Sequence, residues 1–382
     1  MTASTQRRTG KRRVRRALLT LLLTVLPVTT GCAATVQPND TSVTVAVQPL
    51  LDYMPWEFAV QHGLDQQLGL SLRLTYLSQV NSAYQAMQRG DVDVVSTCTA
   101  CNMPYAVSVP TLRDVLTVNQ FKGFIMVGRK GAPSFDALTK QGMPEDRARA
   151  AIHAYLKGKT LIGNKVIFGT LVSGLERYAG LRPGDIRVID VSDDAKAATA
   201  FLAGEGDLYM GSLAQESKLL MSYPDRFVNI GGAEVLGPGG LWYGTAAVDQ
   251  RWLAKNESTV KKLVAIWMRT ARYVNERPDL ALPVIQKAMN ERSGGTFTIP
   301  QLRQQIREFV QFTDPGAAAR DTYNPGSSLY WKRSLDFYEK QSKSDGTLPE
   351  HVDLAKYNIQ QQTYESVVRD PALMRWVNAP LT

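Results

Sequence analysis

Three cysteines and three histidines in 382 residues leave little material for metal chemistry. Cys98 and Cys101 stand as C-x-x-C, but a zinc knuckle needs two further ligands, and His62, His153 and His351 are not spaced as a partner pair. No metal and no cofactor are expected. An organised catalytic set is missing as well. Cys98 would need a base beside it to act as a nucleophile, and neither His62 nor His153 falls at a predicted strand end, so no catalytic residue is assigned. The C-x-x-C pair follows a strand but sits outside any thioredoxin pattern, which argues against a redox enzyme. An apolar run occupies residues 17–28, and no later stretch is long enough to span a bilayer. Repeats of solenoid length are absent, which removes stacked-repeat folds.

Acidic residues are missing from the first 31 positions, which instead carry Arg7, Arg8, Lys11, Arg12, Arg13, Arg15 and Arg16. The apolar run follows, then Thr29, Thr30 and Gly31. A basic segment, a short apolar segment and small residues before a cysteine read as an export signal over 1–31, not as a membrane span. Removing those seven cations lowers the formal charge from +9 to +2, so the basic balance belongs to the signal and implies no nucleic-acid partner. Arg15 and Arg16 also resemble a twin-arginine signal, which leaves the export route open. Cys32, directly after Gly31, resembles the lipobox cysteine of bacterial lipoproteins. That resemblance implies lipidation at Cys32 and a protein held on the cell membrane by its lipid, facing the periplasm or the cell exterior. The alternative is an ordinary cleaved signal with Cys32 left as a free thiol. Residues 32–41, mostly small and polar with one proline, suit a tether. With Cys32 acylated, Cys98 and Cys101 remain, and in an oxidising compartment a local disulfide is their natural pairing, two free thiols being the other possibility.

About 350 residues remain, enough for two domains. The spacing predicts a strand over 43–47, a helix over 55–68 opening with Pro55, a strand over 70–77, a helix capped by Asn81 and stopped by Gly90, and a strand over 91–95. Strand, helix, strand, helix, strand within some fifty residues means right-handed crossovers and a parallel sheet. The same phrase returns as a strand over 160–162, a helix over 169–178, a strand over 186–191, a helix capped by Ser192 and a strand over 207–210. The fold class is therefore α/β, with two lobes, each a mainly parallel sheet flanked by helices. Two short apolar segments, 123–127 and 241–247, are placed to cross between lobes as a two-strand hinge. Lobe 1 is expected over 42–127 plus 240–382 and lobe 2 over 128–239. After Asp249 the pattern turns helical, with an amphipathic helix over 258–276 ended by Arg277 and Pro278 and further helices to the C-terminus. The tail after Leu354 suggests no function.

Several phrases in order carry a family likeness. The first strand with Pro55, Trp56, Glu57, Phe58 and Gly63, the run Met87-Gln88-Arg89-Gly90-Asp91-Val92-Asp93, and Leu156 to Thr160 resemble solute-binding proteins of ABC importers. The branch they resemble is the nitrate, sulfonate and taurine type, which also holds binders of thiamine pyrimidine precursors; the type 2 periplasmic-binding-protein fold follows from that likeness. It extends over roughly 42–349, and implies a monomer that captures a small organic solute by hinge closure and hands it to an ABC permease with its ATPase. Two other readings share the fold: an enzyme of the pyrimidine-precursor-forming type, and a ligand-sensing lipoprotein that reports to a membrane receptor.

A parallel sheet presents its crevice at the carboxyl ends of its strands, beside helix N-termini with free N–H groups. Those ends supply the candidate ligand residues: Gln48, Tyr53, Trp56, Thr97, Asn102, Asn164, Phe168, Thr170, Ser212, Gln215 and Trp242. Lys165 is the single fixed positive charge among these loops, which favours an uncharged or partly aromatic organic solute over nitrate or sulfate. Trp56 and Phe168 have a core role as their competing reading. Trp242 and Tyr243 alternate in one strand, so at most one of them faces the cleft. Asp193 and Asp194 read as a solvated helix N-terminus.

Overall fold

The computed structural model describes residues 41–382 except Gly294 and Ser328, with only the backbone of Val166. The expected signal segment over 1–31 and the expected lipidation site Cys32 lie outside the described residues. Among the described residues, alternating and continuous apolar runs build eleven strands. The first sheet holds β1 (Thr41–Val47), β2 (Leu70–Tyr76), β3 (Val94–Cys98), β4 (Leu112–Phe121), β10 (Trp242–Asp249) and β11 (Val310–Phe312), in the order β11-β4-β10-β3-β1-β2. The second holds β5 (Met126–Arg129), β6 (Thr160–Gly163), β7 (Arg187–Asp190), β8 (Leu208–Tyr209) and β9 (Phe227–Gly231), in the order β7-β6-β8-β5-β9.

Each sheet is mixed. β1 runs parallel to β2 and β3, and β6 runs parallel to β7 and β8, as βαβ units with helical crossovers require. The antiparallel halves come from strands that enter from the other end: β10 between β3 and β4, and β5 between β8 and β9. Periodicity misses β4 and β9. In β4 the polar residues Asp114, Thr117, Asn119 and Gln120 are all buried, so its core position is hidden behind a polar composition.

Local signals explain most boundaries. Pro55 occupies the first turn of helix Pro55–Gln61. Helix Val80–Arg89 ends where Gly90 takes φ of 81°, a left-handed turn that a side chain would strain. The expected hinge segments, 123–127 and 241–247, coincide with the crossings only in part. β5 begins at Met126 inside the second sheet, and all of β10 lies in the first, held there by the fully buried Ala247 and Val248. The chain passes between sheets through residues 122–125, which contain Gly123, and through 232–241, where the run Gly237–Gly240 forms a tight turn instead of a ladder.

The helical C-terminal part covers the first sheet. Helix Glu257–Glu276 is buried along most of its length, with Trp267 donating to the Val118 carbonyl at 2.8 Å. The tail after Leu354 closes over the same lobe. Asp114 and the tail exchange backbone bonds, Asp114 N to Tyr357 O at 2.7 Å and Ile359 N to Asp114 O at 3.0 Å, and Arg269 reaches the carbonyl of Pro380. Helix Trp331–Ser344 reaches the other lobe. Gln341 donates to Ser173 Oγ at 3.0 Å, and Phe337 packs so closely on Gly174 that a Cβ there would lie 2.7 Å from its ring.

Candidate functional site

The carboxyl ends of the parallel strands come out at two sets of loops. In the first sheet, β1 runs into residues 48–54. Gln48 is half-buried, with Nε2 3.5 Å from the Ser78 carbonyl, and Leu50 is 37% exposed. Asp52 accepts from Asn119 Nδ2 at 2.9 Å, and Asn119 Oδ1 in turn accepts from Gly244 N at 3.1 Å, so β1, β4 and β10 are tied together at this end. Burial raises the Asp52 carboxyl above its ordinary range. Tyr53 is buried beside it, its phenol pushed up by burial and by the charges of Asp52 and Asp114.

Four candidates of this lobe belong to its interior. Trp56 is fully buried, donates to Ser96 Oγ at 3.0 Å and lies with its ring 4.8 Å from that of Trp267. An amphipathic helix start here points its indole inward, so the structure corrects Trp56 from ligand contact to core anchor. Thr97 is fully buried in β3, opposite Thr245. Asn102 is buried, accepting from Tyr84 Oη and donating to Asp114 Oδ1. Its amide satisfies a buried acid, which removes it from the set of groups open to a ligand. Asp114 is itself raised well above the ordinary carboxylate range by burial. Tyr53 is enclosed as well, leaving Gln48, and from outside the expected set Leu50 and Asp52, at the mouth. Cys98 and Cys101 form a disulfide, and Cys98 Sγ accepts from Cys101 N at 2.9 Å, capping the short helix Thr99–Asn102.

The second sheet keeps its strand ends open. β6 runs into helix Lys165–Tyr178, whose N-cap Asn164 accepts from Ile167 N at 3.1 Å and donates to Ser192 O at 3.1 Å. Lys165 is exposed and Ile167 is 41% exposed. Thr170 and Gln215 are half-buried. Ser212 caps helix Leu213–Ser222, and its hydroxyl donates to Asp194 Oδ2 at 2.5 Å. Tyr209 Oη donates to Asp194 Oδ1 at 2.5 Å. Asp193 is an N-cap, accepting from Lys196 N at 2.9 Å, as a helix N-terminus predicts; Asp194 instead organises a polar knot at the end of β8. Glu216 is fully buried with Oε1 accepting from Gly211 N at 3.1 Å, and burial raises its carboxyl well above the usual range.

The lobes meet at an aromatic junction. Phe124, in the 122–125 crossing, places its ring 4.4 Å from Trp242 and 5.6 Å from Phe168, both edge to face. Trp242 continues to Tyr338 on helix Trp331–Ser344, its Nε1 donating to the Tyr338 hydroxyl. Phe168 and Trp242 are both buried in this arrangement, one from each lobe. Tyr243 turns to the Leu329 carbonyl at 2.5 Å. Sequence reasoning missed Phe124, whose neighbours Gly123 and Ile125 blended into an apolar strand pattern, and it did not single out Leu50 or Ile167. Among the described residues no group of three or more histidine, cysteine or acidic side chains could hold a metal ion, and no helix is long and apolar enough to cross a membrane.

No protein-family profile matches the chain, and no curated protein sequence does either. Solved structures match in fold. The periplasmic aliphatic sulphonate binding protein SsuA of Escherichia coli superposes with a TM-score of 0.62 at 14% identity, covering 84% of this chain and 92% of its own. The periplasmic nitrate-binding protein NrtA of Synechocystis PCC 6803 gives 0.60 at 13% identity, with 87% and 89% covered. The desulfurization enzyme DSZB gives 0.53 at 12% identity, with 86% and 99% covered. The chain thus has the two-lobed fold of periplasmic solute-binding proteins, a fold in which DSZB is an enzyme.

Proposed function

We propose that this protein is an extracytoplasmic solute receptor, held on the membrane through a lipid at Cys32, that captures a small organic solute between lobe 1 (42–127 with 240–382) and lobe 2 (128–239) and delivers it to an ABC permease and its ATPase. It acts as a monomer, by closure and without chemistry on the solute. The observation that carries this reading is the pair of strand-end loops, each with an exposed apolar residue beside neutral hydrogen-bonding groups: Leu50 with Gln48, and Ile167 with Asn164 and Gln215. Such lips suit an uncharged or partly aromatic solute, gripped when the crossings at 122–125 and 232–241 bend. Cys98, the one thiol candidate for catalysis at the cleft edge, is tied up in a disulfide, which supports binding over turnover.

The test is a thermal-shift screen of the mature protein against amines, sulfonates, thiamine precursors and aromatic acids, repeated with Gln48→Ala and Gln215→Ala. A saturable rise in Tm that either variant loses supports the reading. Turnover of any stabilising compound, or a rise unchanged in both variants, counts against it. Cys32→Ser in the producing cell is expected to release the protein from membranes; a serine variant that stays membrane-bound removes the anchor.

A further inference from the structure

A groove of about 430 Å³ lies away from the strand-end loops, between the 122–125 crossing and the C-terminal helices. Its floor is apolar, built from Val274, Leu282 and Ile306. Its rim is cationic: Lys122, Arg303, Arg307 and Arg320 against Glu308 and Asp314. The acids are already committed. Glu308 pairs with Arg307 at 3.1 Å, and Asp314 receives Asn275 Nδ2 at 2.6 Å and Ala317 N at 2.7 Å. Arg320 pairs with Asp321 at 2.7 Å. Lys122 and Arg303 have no ion-pair partner among the described residues. Two uncommitted cations over an apolar floor define a chemical complement.

We propose that this groove binds a small organic anion, with the charged head between Lys122 and Arg303 and a short apolar body on Val274, Leu282 and Ile306. No residue of the second sheet or its helices lines it, so the site is separate from the cleft between lobes. It is nevertheless built onto the crossing itself. Lys122 N donates to Phe309 O at 2.8 Å, and β11 pairs with the last residues of β4, Val310 opposite Phe121.

The experiment is calorimetric titration of the mature protein with sodium hexanoate, hexylamine hydrochloride and inorganic phosphate, at low and high salt, on the native chain and on Lys122→Gln and Arg303→Gln. Saturable hexanoate binding, weakened by salt and by roughly tenfold in each variant, is expected, with no binding of hexylamine. Circular dichroism and Tm without ligand check that both variants are folded. Hexanoate binding that survives both substitutions, binding of phosphate with none of hexanoate, or no binding of either anion overturns the proposal. None of these outcomes touches the solute reading, whose variants lie at Gln48 and Gln215.

Discussion

The strand ends of the two sheets occupy equivalent places in their βαβ units and are used oppositely. Behind β1 and β3 the side chains fold inward: Trp56 packs on Trp267, Asn102 binds Asp114, and the disulfide ties Cys98 to Cys101. Behind β6, β7 and β8 the caps Asn164, Asp193 and Ser212 satisfy their own helices and leave Lys165, Ile167 and Gln215 reachable. What differs is the cover. Helix Glu257–Glu276 and the tail bury the first lobe from one side, while helix Trp331–Ser344 reaches the second lobe at Ser173 and Gly174. How far a strand end stays open is therefore set by which later segment lands on it, and strand position alone does not reveal that.

The largest effect tests the buried half of this contrast. Trp56→Ala removes a fully buried indole and leaves Ser96 without its donor, so a loss of about 3–5 kcal/mol is expected in urea unfolding. An unchanged midpoint with lost solute binding would return Trp56 to the site.

Next comes pH, through one buried acid in each lobe. Asp114 and Glu216 are both raised well above the ordinary carboxylate range, in each case by burial first. A raised acid keeps its proton in the folded state while the unfolded chain has lost it. Its stabilising contribution is thus complete below the ordinary carboxylate range and is lost as pH climbs, at about 1.4 kcal/mol per pH unit for each group. Stability is expected to fall as pH climbs above the ordinary carboxylate range, with Asp114→Asn and Glu216→Gln each flattening the slope. Asp249 works the other way: its hydrogen bond from Arg251 holds it at about 2, so its contribution disappears only in strong acid. Denaturant midpoints across the acid-to-neutral range decide, and a slope left unchanged by both substitutions would mean that these acids titrate alike in the folded and unfolded chain.

The two-lobed α/β architecture was legible in the sequence because period, starts and stops agreed: Pro55, Gly90 and the apolar alternation of β1 and β2 all mark their elements, although the caps expected at Asn81 and Ser192 fall at Gln79 and Asp193. β4 was not, because its buried face carries Asp114, Asn119 and Gln120, whose partners come from distant segments such as Asp52 and the Leu329 carbonyl. The crossings were displaced by a few residues, since apolar strands and apolar linkers share a composition. Of the candidate residues, Asn164 and Ser212 in the second lobe are helix caps, a place that local rules reveal. Those in the first depended on Trp267 and Tyr84, contacts at long sequence separation that no local pattern encodes.

The smallest effect on stability falls on the exposed half of the contrast. Leu50 and Ile167 are partly exposed on opposite lobes, so Leu50→Ser and Ile167→Ser should each move the unfolding free energy by no more than about 0.5 kcal/mol. If capture proceeds by the proposed closure, their cost appears there, where apolar surface from both lobes would meet the solute. Each serine then weakens capture of the solute found by thermal-shift screening, and the double variant weakens it by more than either alone. Calorimetric titration of the three variants measures this directly. Equal affinity in all three would mean that the lips stay wet when the lobes close, and that the aromatic junction of Phe124, Phe168 and Trp242 holds the solute by itself.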